Sequence, residues 1–270
     1  MDSKEIKCPV VLSFDIDGTS GLINMDPHTR NFPSLMSMRE YGPNIAMPRI
    51  LNILKKHDIK SSFYIPGFIA DTHSELVKNI FDEGHEIGHH GYMHEPPATL
   101  TKQEEIDVID KGIESIEKIT SQIPLGYRSP SWELSKYSID ILVNKGFVYD
   151  SSLMGDDKPY HIQSGNNKLV EIPIHWELDD HPYFNHTPYL NQRNVISNPM
   201  SVLESWQLAF DGIFEYQGSF VLTLHPWIIG RPGRLKILEK LILYIKEFDG
   251  AEFITALNLA KLFDSQIVSN

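Results

Sequence analysis

The chain has one cysteine, Cys8, in 270 residues, which excludes an internal disulfide and a metal cage built of thiolates. Lying just ahead of an apolar run, Cys8 reads as a small buried residue, not as a nucleophile. Positive charge is also scarce: 24 Lys and Arg against 36 Asp and Glu leave a net charge of −12. That balance excludes nucleic acid, or an anionic membrane surface, as the main partner. No stretch of about 18 apolar residues exists to span a bilayer, and the opening residues Met1 to Lys7 lack an apolar signal core. A cytoplasmic location is therefore expected. Internal repeats and low-complexity linkers are absent as well. An apolar content of 41% and a charged content of 22% describe an ordinary globule, and the length suits one catalytic domain over residues 1–270.

Short apolar runs alternate with amphipathic stretches from end to end. Pro9 to Phe14 is a β-branched run ending in acids, which reads as a buried strand feeding a polar loop. The pattern predicts helix over Asn44 to His57 and strand over Lys60 to Ile65. Thr101 and Glu104 fit a capping box ahead of a stripe of Ile106, Ile109, Ile113 and Ile116. Strands are predicted over Leu125 to Arg128, Leu169 to His175 and Gly218 to His225, with helix over Ser135 to Asn144. Leu238, Leu241, Ile242, Ile245 and Phe248 mark a further amphipathic helix. Such alternation favours a parallel sheet or a distorted (β/α) barrel, whose reactive side chains stand at the C-terminal ends of strands. Three polar clusters follow strands: Asp15 with Asp17, Arg128, and His225. The segment from Glu177 to Pro199, rich in prolines, aromatics and histidines, is expected to form a long loop over the site mouth.

Two sets of residues carry chemistry. His90 and His94 stand four apart beside Gly88 and Gly91, so both imidazoles can face one ion; a hydrolytic zinc-type site needs about three protein ligands and an open position for water. With twelve histidines present, such a pair is not diagnostic alone, and His85 with His89 is another. Asp15 and Asp17 flank Ile16 just past the first strand. If extended geometry persists, both carboxylates turn to one side, and one can ligate a metal while the other takes a proton from water. The residues alone leave open which does which.

Read in order, the motifs resemble those of the polysaccharide deacetylase (NodB-homology) family. The acidic motif is Ser13-Phe14-Asp15-Ile16-Asp17-Gly18, and the histidine motif runs from Gly84 to His94, which selects His90 and His94 over His85 and His89. Arg128-Ser129-Pro130 is followed by Trp132, Asp150-Ser151-Ser152 comes next, and Leu222-Thr223-Leu224-His225-Pro226 closes the series. The resemblance implies an α/β fold, a deformed (β/α) barrel, and hydrolysis of non-peptide C–N amide bonds. It further implies one divalent ion, most simply zinc, on Asp17, His90 and His94. Asp15 would be the base with Arg128 orienting it, and His225 the acid oriented by Asp150. Trp132, Asp180, Tyr183 and Trp227 are candidate substrate-binding residues.

The departures point to a particular branch. Ile16 separates the two acids, Gly91 replaces a hydroxyl residue, His89 stands where Asn is usual, and Trp227 to Arg234 extends the last motif. These features look like the branch holding the intracellular peptidoglycan deacetylase of gastric bacteria and the cyclic imide and ureide hydrolases, some of them described as working without metal. A glycan or small-molecule amide is the expected substrate, and a homo-oligomer the expected assembly. Phe14 to Thr19 also looks like the first motif of haloacid-dehalogenase-type phosphatases, but no acidic pair closes a late buried strand and that reading leaves the histidines unused. A catalytically silent binding protein of the same fold is the remaining alternative.

Overall fold

The first strand shows how the sequence builds the barrel. Along Val10 to Ile16, the even-numbered Val10, Leu12, Phe14 and Ile16 are buried in one apolar cluster with the helices. Val11 joins Tyr64, Tyr149, Val170, Ile172 and Val221 in a second cluster, the side chains that fill the barrel interior. Period-two alternation along a strand divides the two layers: helices cover the even-numbered apolar face, while on the face toward the barrel interior Val11 is followed by the buried polar Ser13 and Asp15.

The computed structural model describes residues 6–190, 192–193 and 195–268. Its strands are β1 (Cys8–Asp15), β2 (Ser62–Ile65), β3 (Glu86–His89), β4 (Gly126–Tyr127), β5 (Tyr149–Asp150), β6 (Tyr160–Ser164), β7 (Asn167–Glu171), β8 (His186–Thr187), β9 (Gln192–Arg193), β10 (Phe220–Leu224) and β11 (Ala251–Phe253). The helices are α1 (Ser20–Met25), α2 (Pro33–Tyr41), α3 (Met47–Lys56), α4 (Gly67–Thr72), α5 (Ser74–Asp82), α6 (Lys102–Thr120), α7 (Ser138–Lys145), α8 (His181–Phe184), α9 (Pro199–Glu215), α10 (Pro226–Ile229), α11 (Pro232–Ile245) and α12 (Ala256–Val268).

The main sheet runs β10-β1-β2-β3-β4-β5-β7-β6. Pairings from β10 through β7 are parallel, and only β6 returns antiparallel on β7. Past β7 the chain crosses to the far side of β10, where Asp179 pairs with Thr223 in a single parallel bridge. The barrel is therefore deformed: one bridge stands where a full strand would complete the ring. A cavity of about 630 Å³, lined by Met154, Ile174, Leu178, Ile213, Tyr216 and Val221 among others, lies along this seam.

Most elements match the sequence pattern. The Thr101–Glu104 capping box forms at the start of α6, and Leu238, Leu241, Ile242 and Ile245 are buried on α11. Asn44 to His57 is not a helix of its own: α2 runs through a π-helical turn, Gly42–Ala46, straight into α3. At that turn the backbone of Gly42 comes so close to Trp227 that a Cβ would meet the Trp227 nitrogen at 3.1 Å. The segment 177–199 is not a plain loop, since α8, β8 and β9 lie in it; Asn191 and Asn194 fall outside the described residues.

Candidate active site

The site stands where four strands of the barrel, β1, β3, β4 and β10, end. Asp15 closes β1 and Asp17 follows two residues later; both are buried, and Ile16 between them turns into the helix-covered core. The period-two expectation for the two acids thus matches their placement. Arg128, just after β4, donates from Nη1 to Asp15 Oδ1 (2.9 Å) and to Ser13 Oγ (2.9 Å), and from Nε and Nη2 to Ser151 (both 3.1 Å). Every edge of this guanidinium is used, so Asp15 is held as an oriented carboxylate with one oxygen free of the arginine.

His90 and His94 converge, but not through a helical turn. Both lie in the loop after β3, where Gly91 (φ 73°) and His94 (φ 62°) take left-handed backbone and Glu95 Oε2 accepts from the Tyr92 and Met93 amides (3.0 and 2.8 Å). This tight reversal brings the two rings to 4.9 Å between centroids. Asp17 Oδ1 lies 3.6 Å from His90 Nε2 and 3.7 Å from His94 Nε2.

The three groups fit a divalent ion on grounds of their own. Asp17 Oδ1 is a buried acceptor without a hydrogen-bond partner, which is costly unless something satisfies it. His90 Nδ1–H donates to the Arg128 carbonyl (2.7 Å), which fixes the tautomer that leaves Nε2 open as a ligand. Burial first of all lowers the His94 pKa, to about 4, so its imidazole is neutral at pH 7. For Asp17, burial would raise the pKa, but the charges of His94, His225, His90 and Arg39 outweigh it and hold the carboxyl at about 2. His85 and His89 are engaged elsewhere: His85 Nδ1 accepts from the Ser61 amide (3.2 Å), and His89 donates to the Ile109 carbonyl (3.1 Å) inside the core.

Across Asp17 stands His225, with its Nε2 3.8 Å from Asp17 Oδ2. The residue oriented against it is not Asp150. His225 Nδ1–H donates to Asp180 Oδ1 (2.7 Å), its backbone N–H to both Asp180 oxygens, and Asp179 Oδ1 lies 3.4 Å away. Burial alone would lower the His225 pKa, but Asp179 and Asp180 reverse this and push it well above the ordinary histidine range. Asp150 instead accepts from Ser152 Oγ (2.7 Å) and lies beside Glu171 at the end of β5, where burial raises it to about 6. The reason is the barrel seam. The bridge from Asp179 to Thr223 lays the segment after β7 along β10, and that carries Asp180 to the backbone of His225. Asp179, Asp180 and His225 also lie within a metal's reach of one another. With both Asp180 oxygens occupied by His225, a charge-paired imidazolium accounts for them.

The expected substrate-binding residues divide. Asp180 serves His225. Trp227, on α10, is buried and faces His181 edge-on at 6.3 Å. Trp132 stacks on Trp176 at 4.2 Å, with Ser131 and Trp132 both in left-handed backbone (φ 60° and 59°), a strain that clusters at functional sites. Tyr183 is half-buried and packs against the core, edge-on to Trp206, and its hydroxyl donates to the Glu177 carbonyl (3.2 Å). Asp179 and His181 fall in the segment that the sequence marked as a loop over the site, without a role of their own; Arg39 was not singled out, and nothing in the local pattern around it flags it.

The polysaccharide deacetylase family profile matches residues 28–149. A Helicobacter pylori protein described as a peptidoglycan deacetylase is 31% identical over 94% of this chain and 95% of its own. A crystal structure of a putative polysaccharide deacetylase from Mycobacterium smegmatis superposes with a TM-score of 0.95 at 33% identity, covering 98% of this chain and 93% of that one. An allantoinase structure shares the fold, with a TM-score of 0.83 at 20% identity over 97% of this chain and 91% of its own. With that relationship along nearly its whole length, the chain belongs to the polysaccharide deacetylase family, hydrolases of carbon–nitrogen bonds other than peptide bonds.

Proposed function

We propose that this chain removes the acyl group from an N-acylated amino sugar, with Asp17, His90 and His94 holding one divalent ion, most simply zinc. The observation that carries the reading is the unpartnered buried oxygen of Asp17 between the two open imidazole nitrogens. Such an ion lowers the pKa of water to about 7 and polarises a carbonyl. Asp15, fixed by Arg128, accepts the proton of the attacking water. His225, kept protonated by Asp179 and Asp180, donates to the departing nitrogen. Base and acid must begin in opposite protonation states, and two carboxylates around one imidazole arrange that. The test is acetate release from N-acetylglucosamine oligomers by zinc-loaded protein, with His90→Ala as control. Absence of acetate from every N-acetyl sugar tried would sink the amino-sugar reading.

A second substrate class is favoured by enclosure. Asp17, His90 and His225 are 6%, 1% and 7% exposed, and the 177–190 segment packs against His225. Such a site suits a small cyclic imide or ureide better than an open glycan groove does, and ring opening of a simple cyclic imide tests it.

The whole reaction is assigned to one domain, because the reacting groups come from both ends of the chain, Asp15 to His225. A cytoplasmic location is part of this proposal; among the described residues no helix is long and apolar enough to cross a membrane. Fractionation of cells tests it. Assembly of identical copies is supported by Leu208 and Tyr216, 74% and 73% exposed, and light scattering reads it directly.

A further inference from the structure

One buried cation has no part in the reaction described above. Arg39, on α2, is 8% exposed. Its guanidinium carbon stands 3.8 Å over the Trp227 ring. Its Nε has no hydrogen-bond partner, and the one acid whose charge supports it is Asp17, without a hydrogen bond between them. The contrast with Arg128 is informative: that guanidinium fills all its edges with Asp15, Ser13 and Ser151. Placed only to balance the site's acids, Arg39 would close on one of them in the same way. A buried arginine nitrogen without a partner is expensive, and burial lowers the pKa of Arg39, to about 10, even against the opposing charge of Asp17.

A second orphan stands beside the first. Trp227 Nε1–H, a donor only, is buried and also lacks a partner. Arg39 and Trp227 therefore bring two unpaired donors to one stack. The stack borders the chemistry on two sides: the charge of Arg39 acts on both Asp17 and His181, and His181 lies between Trp227 (6.3 Å) and His225 (5.4 Å). The π-helical turn at Gly42–Ala46 sets the distance, since Gly42 lets α2 come within van der Waals contact of Trp227. A planar fork resting on an aromatic face is the arrangement that receives a carboxylate bidentately.

We infer that Arg39 and Trp227 form a carboxylate subsite, so that the substrate carries an acidic group close to the amide that is cleaved. This deepens the hydrolase reading above and rests on it. The acid can sit on a sugar or on a small imide or ureide, and matched pairs separate the two sources: N-acetylmuramic acid against N-acetylglucosamine, and hydantoin-5-acetic acid against hydantoin. With zinc-loaded protein, kcat/KM is expected to favour the acidic member of one pair by roughly tenfold to a hundredfold. Arg39→Gln should bring that ratio to about one, and Arg39→Lys, keeping charge without the fork, should retain part of it. Because a ratio is read within one preparation, partial misfolding of a variant does not imitate the result. A ratio near one in the unaltered protein, or a preference that survives Arg39→Gln, overturns the subsite. If no amide of either pair is cleaved, the hydrolase reading on these classes fails, and calorimetry decides the subsite by itself. Succinate should then bind the unaltered protein more tightly than neutral succinamide and lose roughly tenfold or more in Arg39→Gln; equal binding in both proteins overturns it.

Discussion

At the residue scale the site depends on which carboxylate faces which cation. Arg128 and Asp15 form a buried pair at 2.9 Å, and removing one partner leaves the other charge uncompensated. Arg128→Met is expected to cost about 3–5 kcal/mol, read as a lowered denaturation midpoint, as well as activity. Asp17→Ala should lose metal and turnover together, whereas Asp15→Asn should keep the metal and lose turnover. Metal analysis of the purified variants separates the two roles, and the reverse pattern would exchange them. As the general acid of the proposed mechanism, His225 should set the alkaline limb of the pH profile. Its folded pKa lies above the unfolded value of about 6.5, so the stability from its carboxylate partners is complete below that value. This stability is lost as pH rises through the folded pKa, and the general acid is lost over the same range. Asp180→Asn removes a carboxylate and should move the alkaline limb of kcat/KM to lower pH, while Asp150→Asn should leave that limb in place.

At the element scale, short strands and tight loops do the positioning. His89 ends β3 and packs into α6, where a Cβ added at Gly112 would overlap its Nε2. Gly112→Ala should therefore destabilise by about 1–3 kcal/mol and disturb the loop that carries His90, measured by denaturation and by zinc affinity. β1, β10 and α6 were readable from sequence because each is long enough to show its period, and α6 carries its cap. β4 and β5 are two residues each, too short to repeat a pattern; β5 was not anticipated, and β4 lies inside the strand expected over Leu125 to Arg128. The convergence of His90 and His94 was expected from their spacing, which does not by itself specify the backbone between them. A spacing of four also fits a reversal through left-handed Gly91 and His94, and helical geometry is not needed.

At the scale of the whole molecule, the barrel closes through one bridge, Asp179 to Thr223, and the same contact completes the acid partner of His225. Fold and site are thereby coupled, so anything that binds the site should stabilise the fold. Zinc at a hundred times its dissociation constant would add about 2.7 kcal/mol, a rise of roughly 5–10 °C in Tm for a chain of this size. Asp17→Ala should show no such rise.

The motif residues Asp15, Asp17, His90, His94, Arg128 and His225, and the alternating α/β pattern, were determined by sequence alone. Local spacing encodes them, because strand alternation and the short distances within a motif constrain neighbours along the chain. Tertiary structure decided the rest. It chose Asp180 over Asp150 as the partner of His225, packed Tyr183 against Trp206, and laid Arg39 on Trp227. Those contacts join residues 45 and 188 positions apart or, for Tyr183, depend on packing against another helix. Only the closing of the barrel brings such groups together, and no periodicity in the sequence records that step.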